Sequence, residues 1–267
     1  MPSLDESYDS YPRIEEPFQE ALDTSLNPRG PDFLYELVER LDLPASATVA
    51  DVGCGEGKQA IELAERFGFI VTGVDPVSRN IELCNERLRE HGALRDRVRF
   101  VRGAVESLPI DDGSVQLVWC RDVFSHTQDL DQAFKECRRV LRPGGHMLLY
   151  QMFATQLLAP EERDRVFGPL DVASWDPTAT ESATARAGLR VDETIDLGSE
   201  WGEYAEEHGG VPARKLLHAA RLGRDPERYI EQFGKVNYDI KLADCLWHVY
   251  RMIGKLSGRV YLMSRPR

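Results

Sequence analysis

The chain has few cysteines and no pattern among them. Cys54, Cys84, Cys120, Cys137 and Cys245 are odd in number, scattered over 267 residues and without a C-x-x-C pair. That argues against a disulfide framework or a cysteine zinc site, and the thiols read as reduced residues of a cytoplasmic protein. The six histidines show no paired ligand spacing, so no protein-bound metal is expected. Positive charge is also scarce: 33 Lys and Arg face 45 Asp and Glu, a formal net charge of −12. Nucleic acid, gripped through cations, is therefore not an expected partner, although a peptide is not excluded. No apolar run approaches the ~20 residues of a bilayer span. Met1-Pro2-Ser3-Leu4-Asp5-Glu6 lacks the basic and apolar regions of a secretion signal. The expectation is a cytoplasmic chain without a membrane partner, handling a small neutral or cationic molecule, with a homodimer left open. Its 42% hydrophobic content suffices for one substantial core.

What is present is a glycine loop. Val49-Ala50-Asp51-Val52 ends a β-branched run in an acid, and Gly53, Gly55 and Gly57 follow directly. A helical stretch, Lys58 to Phe67, stops at Gly68, and a second apolar strand, Ile70 to Val74, ends at Asp75. Glycine lets a backbone turn sharply out of a strand and approach a bound molecule, and an acid closing the next strand is placed to accept both hydroxyl hydrogens of a ribose. A dinucleotide loop reads G-x-G-x-x-G; here the third glycine arrives one residue early and Glu56 sits inside the turn, a poor neighbour for two phosphates.

Strands and helices alternate from there. Further strands are expected at Val98 to Val101, Val115 to Cys120 and His146 to Met152, and helices at Ser78 to Glu90 and Asp129 to Leu141. Apolar runs separated by amphipathic helices indicate a parallel sheet covered on both faces. Pro143-Gly144-Gly145 punctuates the last helix and the fifth strand. A helix at Pro177 to Ala187, a sixth strand at Leu189 to Leu197 and a seventh at Val260 to Ser264 follow. Ser199 to Gly258, rich in Trp, Tyr, His and charge, reads as a helical insertion, too long for a mere connection. The first 24 residues, with Pro12 and Pro17 among seven acids, read as an irregular arm holding one short helix. Three parts are thus expected: an arm or lid over residues 1–30, a core of 31–198 plus 259–267, and a substrate-covering insertion over 199–258.

Asp51-Val52-Gly53-Cys54-Gly55-Glu56-Gly57 resembles motif I of the class I S-adenosylmethionine-dependent methyltransferases, and Asp75 resembles their ribose-binding acid. The segment Trp119-Cys120-Arg121-Asp122-Val123-Phe124-Ser125-His126-Thr127-Gln128-Asp129, running on to Arg139-Val140-Leu141-Arg142-Pro143-Gly144-Gly145, is similar to the phosphoethanolamine and sarcosine/dimethylglycine methyltransferases. The resemblance implies a Rossmann-like α/β fold: seven strands, six parallel and the last antiparallel, helices on both faces and a helical insertion before the last strand. It implies S-adenosyl-L-methionine as cofactor, held by Asp51, Gly53, Cys54, Gly55, Asp75, Pro76, Val105, Glu106, Arg121 and Asp122. In the family the third loop reads Gly-Asp-Ala-Glu; here Ala104 takes the acid's place, leaving adenine to Val105 and Glu106. Asp122 would face the amino group of the methionine part, and His126 the substrate, as catalytic base. Tyr8 or Tyr11 would cover that histidine from the arm, with Gln151, Trp201, Tyr204 and Tyr238 as further substrate contacts.

Methyl transfer from a sulfonium is an in-line displacement, so the protein must hold nucleophile and methyl at ~3–3.5 Å and take a proton where the nucleophile carries one. A histidine suits that transfer near neutrality. The function implied is methylation of a nitrogen, oxygen or carbon of a small, specialised-metabolism molecule. The alternative is a fold that binds the cofactor and serves as a cyclase or scaffold, because cofactor binding and methyl transfer use different residues. A nicotinamide-dependent oxidoreductase is disfavoured by the short glycine spacing.

Overall fold

The computed structural model describes residues 3–267. A 20-residue helix, α1 (Leu4–Asp23), opens the chain. This corrects the expected irregular arm: Ser3 and Glu6 form a reciprocal capping box, Glu6 N–H donating to Ser3 Oγ and Ser3 N–H to the Glu6 carboxylate, and the helix runs through both proline positions. The next helix, α2 (Phe33–Glu39), buries Leu34, Tyr35, Leu37 and Val38.

The core follows the predicted alternation: β1 (Thr48–Val52), α3 (Lys58–Phe67), β2 (Ile70–Asp75), α4 (Ser78–Glu90), β3 (Val98–Arg102), β4 (Val115–Arg121), α5 (Leu130–Val140) and β5 (Leu141–Ala154). After them come α6 (Pro160–Phe167), α7 (Pro177–Ala187) and β6 (Arg190–Gly198). Four helices, α8 (Glu200–Gly209), α9 (Val211–Arg224), α10 (Pro226–Phe233) and α11 (Lys235–Met252), precede β7 (Leu256–Ser264). The strands form one sheet in the order β3-β2-β1-β4-β5-β7-β6, with β7 antiparallel to both neighbours and the others parallel. This is the expected seven-stranded Rossmann-like α/β arrangement.

Two departures have plain causes. β5 starts five residues early because the Gly144 N–H donates to the Arg265 carbonyl and the Arg265 N–H to the Gly145 carbonyl, so the glycine turn pairs with the chain end. β7 starts at Leu256 because its register with β5 runs back to Ala154. Apolar layers cover both sheet faces, one including Leu63, Val71, Trp119 and Tyr150, the other Val52, Val118, Phe134 and Tyr261. Among the described residues no helix is long and apolar enough to cross a membrane, and no three His, Cys, Asp or Glu side chains converge as a metal site.

Candidate active site

β1 lies between β2 and β4, so strand order reverses there and a crevice opens outside the carboxyl ends of the strands. The acids predicted from sequence converge on it. Asp51, next to last in β1, pairs in register with Gly73 and Trp119, and Asp75 closes β2. Gly53 leaves β1 at φ +71°, where an added Cβ would stand 2.1 Å from Val123 Cγ2; the first and fourth loops touch there. Gly55, also left-handed at +52°, has nothing within 4 Å of its Cβ position, so its upper side is open to a ligand.

Asp75 is buried and accepts from the Gly55 N–H at 3.0 Å, the Val77 N–H at 2.9 Å and Asn80 Nδ2 at 3.0 Å. A carboxylate has about four lone-pair sites, so roughly one remains for an incoming hydroxyl without rearrangement. Asp51 is only 2% exposed and its Oδ2 has no partner. Burial pushes its pKa up to about 7, the Ala60 N–H opposing, Asp75 adding and Arg121 opposing. An orphaned carboxylate oxygen beside an open glycine loop fits a ligand that brings a donor or a positive charge.

The other predicted contacts divide by where their side chains go. Pro76 offers its carbonyl to Arg102 Nε at 3.0 Å. Val105 is buried, and the Glu106 carbonyl accepts from Gln132 Nε2 at 3.1 Å, which pins the third loop. Cys54 turns inward beside Cys84, and its contact with that thiol together with burial holds it protonated, while Cys84 Sγ donates to the Gly55 carbonyl at 3.1 Å. Only the Cys54 backbone belongs to the loop surface.

Arg121 and Asp122 follow β4. Arg121 lies over the Trp201 ring at 5.1 Å, and Trp201 stacks on Tyr150 at 3.9 Å, which packs α8 against a face of the sheet. Asp122 adopts φ +58°, a left-handed conformation that aspartate tolerates better than most residues, with its N–H bonded to the Tyr150 carbonyl at 2.9 Å. Its side chain is 45% open to the crevice, yet the protein packed around it pushes the pKa up to about 6, with Arg121, Arg251 and His126 pulling it down.

Phe124–His126 forms one 3-10 turn. His126 Nδ1 lies 3.0 Å from the Asp171 carbonyl, which can only accept. The proton of the neutral ring is therefore on Nδ1, and Nε2 carries a free lone pair. Asp122, Ser125 and His126 line a cavity of about 310 Å³ together with Leu170 and Val172 from the loop after α6, and Asp244, Trp247 and His248 from α11.

The predicted substrate contacts do not all reach it. Tyr8 and Tyr11 are exposed on α1, 6.5 Å apart ring to ring, so in this conformation they pack on each other and not on His126. Gln151 is fully buried, its Nε2 donating to the Ser174 carbonyl at 2.8 Å while Oε1 has no partner. It stands behind the point where Ala173 and Ser174 bond the Ser125 carbonyl. Trp201 and Tyr204 line a second cavity of about 320 Å³ with Arg121, His208 and Arg251. Tyr238 lies elsewhere, under α9 with its hydroxyl on the Leu222 carbonyl at 3.2 Å. Asp171, Asp244 and His248 are missing from the sequence reading. The Asp244–His248 spacing of four on a helix was a legible signal, whereas a backbone carbonyl such as that of Asp171 leaves none.

A methyltransferase-domain family matches residues 50–149. The 27-O-demethylrifamycin SV methyltransferase of Amycolatopsis mediterranei (strain S699) is 30% identical over 190 residues, covering 68% of this chain and 70% of that protein. The chain belongs to the S-adenosylmethionine-dependent methyltransferases. Methyltransferase GfsG of Streptomyces halstedii is 44% identical over 115 residues, 43% of this chain, and the match spans only 41% of that protein's length. Sarcosine/dimethylglycine and phosphoethanolamine N-methyltransferases are also among the relatives, at lower coverage. In three dimensions the [4+2]-cyclase SpnF superposes with a TM-score of 0.70 at 20% identity, covering 99% of this methyltransferase and 97% of the cyclase. That likeness is one of fold.

Proposed function

We propose that this chain transfers a methyl group from S-adenosylmethionine to a small molecule held in the cavity between His126 and α11. The observation that carries the reading is that Asp122 and His126 line one cavity, and that the Asp171 carbonyl fixes the imidazole with Nε2 free. In this reading the Gly53–Gly57 loop, Asp51, Asp75, Val105, Glu106, Arg121 and Asp122 hold the cofactor, residues 31–198 and 259–267 form the binding core, and residues 199–258 cover the acceptor. The cofactor supplies a methyl on a sulfonium, whose positive charge is lost as the methyl leaves.

Each residue has a stated task. Asp75 accepts from the ribose, and the idle Asp51 oxygen receives a donor or faces positive charge. Asp122, open to the crevice and with a pKa raised only to about 6, is an anion near neutral pH and pairs with an ammonium. Leu170, Val172 and Trp247 exclude water from the acceptor side, which strengthens every polar contact inside. His126 Nε2 takes the proton of an attacking hydroxyl or amine, and its Nδ1–H stays on Asp171 so the imidazolium forms without reorientation.

Calorimetric titration with S-adenosylhomocysteine tests the cofactor half: binding by the native chain and loss of ten-fold or more in Asp75→Ala are expected, and absence of heat from the native chain refutes it. Isotopically labelled methyl donor tests the chemistry against the cyclase or scaffold alternative. Label appearing in a metabolite-extract product supports transfer. Product formed without label, from a chain that binds the cofactor, supports the alternative.

A further inference from the structure

A cavity of about 540 Å³ lies away from the strand ends, between α9, α10 and α11. Its walls are Leu222, Tyr229, Phe233 and Tyr238, and its rim carries Arg221 and Lys241. Nothing in the cofactor crevice needs this space. Phe233 nevertheless stands 55% exposed beside it, with Leu216, Leu217, Val236 and Ile240 also uncovered on the same three helices. An apolar-walled cavity with exposed apolar side chains on the helices around it fits a binding site.

Its position relative to the smaller cavity gives it meaning. Asn237 and Lys241 line the large cavity, Asp244 and His248 the small one. These four residues recur at i, i+4, i+7 and i+11 of α11, so they share one helical face. The boundary is an ion cluster: Asp244 Oδ2 accepts from Lys215 Nζ at 2.5 Å and from Lys241 Nζ at 3.1 Å. Positive charge predominates there, since α9 carries Arg214, Lys215, Arg221 and Arg224 and no acid.

We infer that the large cavity is the distal half of the acceptor site, taking the apolar body and carboxylate of an elongated acid whose other end reaches His126. The inference rests on the small cavity being the acceptor site. Tyr229, Phe233 and Tyr238 cover the hydrocarbon, Arg221 pairs with the carboxylate, and the Lys215–Asp244–Lys241 cluster marks the waist between the halves. An acceptor lacking the acid or the chain fills only the proximal half and binds more weakly.

The probes are dodecanoate, ω-hydroxydodecanoate and ω-hydroxyhexadecanoate, titrated calorimetrically into the full chain saturated with S-adenosylhomocysteine. Dodecanoate binding at one equivalent is expected, weakened at least ten-fold by Leu222→Trp, which fills the cavity, and by Phe233→Glu, an exposed change that sets a like charge against the acid. Arg221→Ala is expected to weaken it three-fold or more. At least one ω-hydroxy acid should lose affinity in His126→Gln while dodecanoate does not. No dodecanoate binding, equal binding by both cavity variants, or indifference of every ω-hydroxy acid to His126→Gln overturns the inference. So does a dimer that excludes dodecanoate, which would give the groove to α1 of a second copy, whose exposed stripe of Leu4, Tyr8, Tyr11, Phe18 and Leu22 is acidic at its flanks. Failure of the parent reading is read separately, as failure of S-adenosylhomocysteine itself to bind the native chain.

Discussion

Replacing Asp51 with asparagine isolates the cost of the one acid that the crevice leaves unsatisfied. Asp51 is almost fully buried, one oxygen has no partner, and its pKa stands near 7 against 3.8 when solvated. A folded-state value raised above the unfolded one means that the native chain holds a proton the unfolded chain has released. Stability from this group is complete below the unfolded value and is lost as pH rises through the folded one. Each pH unit in that window costs about 1.4 kcal/mol, so the full span amounts to roughly 4 kcal/mol. Asparagine cannot ionise. The difference in unfolding free energy between Asp51→Asn and the native chain should therefore grow in the variant's favour from about pH 4 to pH 7 and then level off, whatever constant offset the new amide adds. Urea titrations across that range, free of cofactor, measure it. In the same variant S-adenosylhomocysteine should bind about 10- to 100-fold more weakly, the worth of a charge-assisted hydrogen bond. Parallel stability profiles for the two proteins would refute the account of Asp51 as a buried neutral acid.

The remaining expectations concern the two imidazoles and the loop. His248 is held near 4 by burial, with Arg251 and Lys215 also lowering it and Asp244 opposing. A base lowered from 6.5 contributes stability that is present above that value and is lost as pH falls toward 4. His248→Gln should thus flatten the acid side of the urea-stability profile, between about pH 6.5 and 4; an unchanged slope contradicts it. His126→Gln should lower the methyl-transfer rate ~100- to 10,000-fold while S-adenosylhomocysteine affinity stays within about three-fold; an equal loss in both would make His126 a cofactor contact instead. Gly53→Ala combines a left-handed backbone with a Cβ 2.1 Å from Val123, so a loss of about 2–4 kcal/mol in thermal or urea unfolding is expected, and a neutral outcome would mean that the first and fourth loops do not touch.

The parts of the site legible in the sequence were those whose chemistry is carried by backbone shape. Gly53, Gly55, Asp51 and Asp75 announce themselves because a left-handed turn after a β-branched run leaves few choices of residue. The strands of the parallel core were equally plain, being apolar throughout. The helical cover was legible in composition but not in facing. Tyr238 and Trp201 looked alike as aromatic candidates, yet Tyr238 lines a separate cavity and Trp201 is locked between Tyr150 and Arg121. The amphipathic α1 was masked by its two prolines, although the Ser3–Glu6 capping signal was present. Asp171 was beyond reach, because its contribution is a carbonyl 45 positions away in the chain.

Two acids at the crevice stand out electrostatically. Asp51 lacks a partner for one oxygen, and Asp122 combines a left-handed backbone with a raised pKa. Glu136, on α5 away from the crevice, is by contrast fully paired, accepting from the Leu108 N–H and from Arg139. A site that keeps the buried Asp51 partly protonated in the empty chain gains doubly from a cationic cofactor, by direct attraction and by recovering the cost of ionising a buried acid. Proton release should therefore accompany cofactor binding near pH 7, where Asp51 titrates. The same coupling favours cationic S-adenosylmethionine over its product, which has lost the sulfonium charge, so charge alone would help the spent cofactor leave.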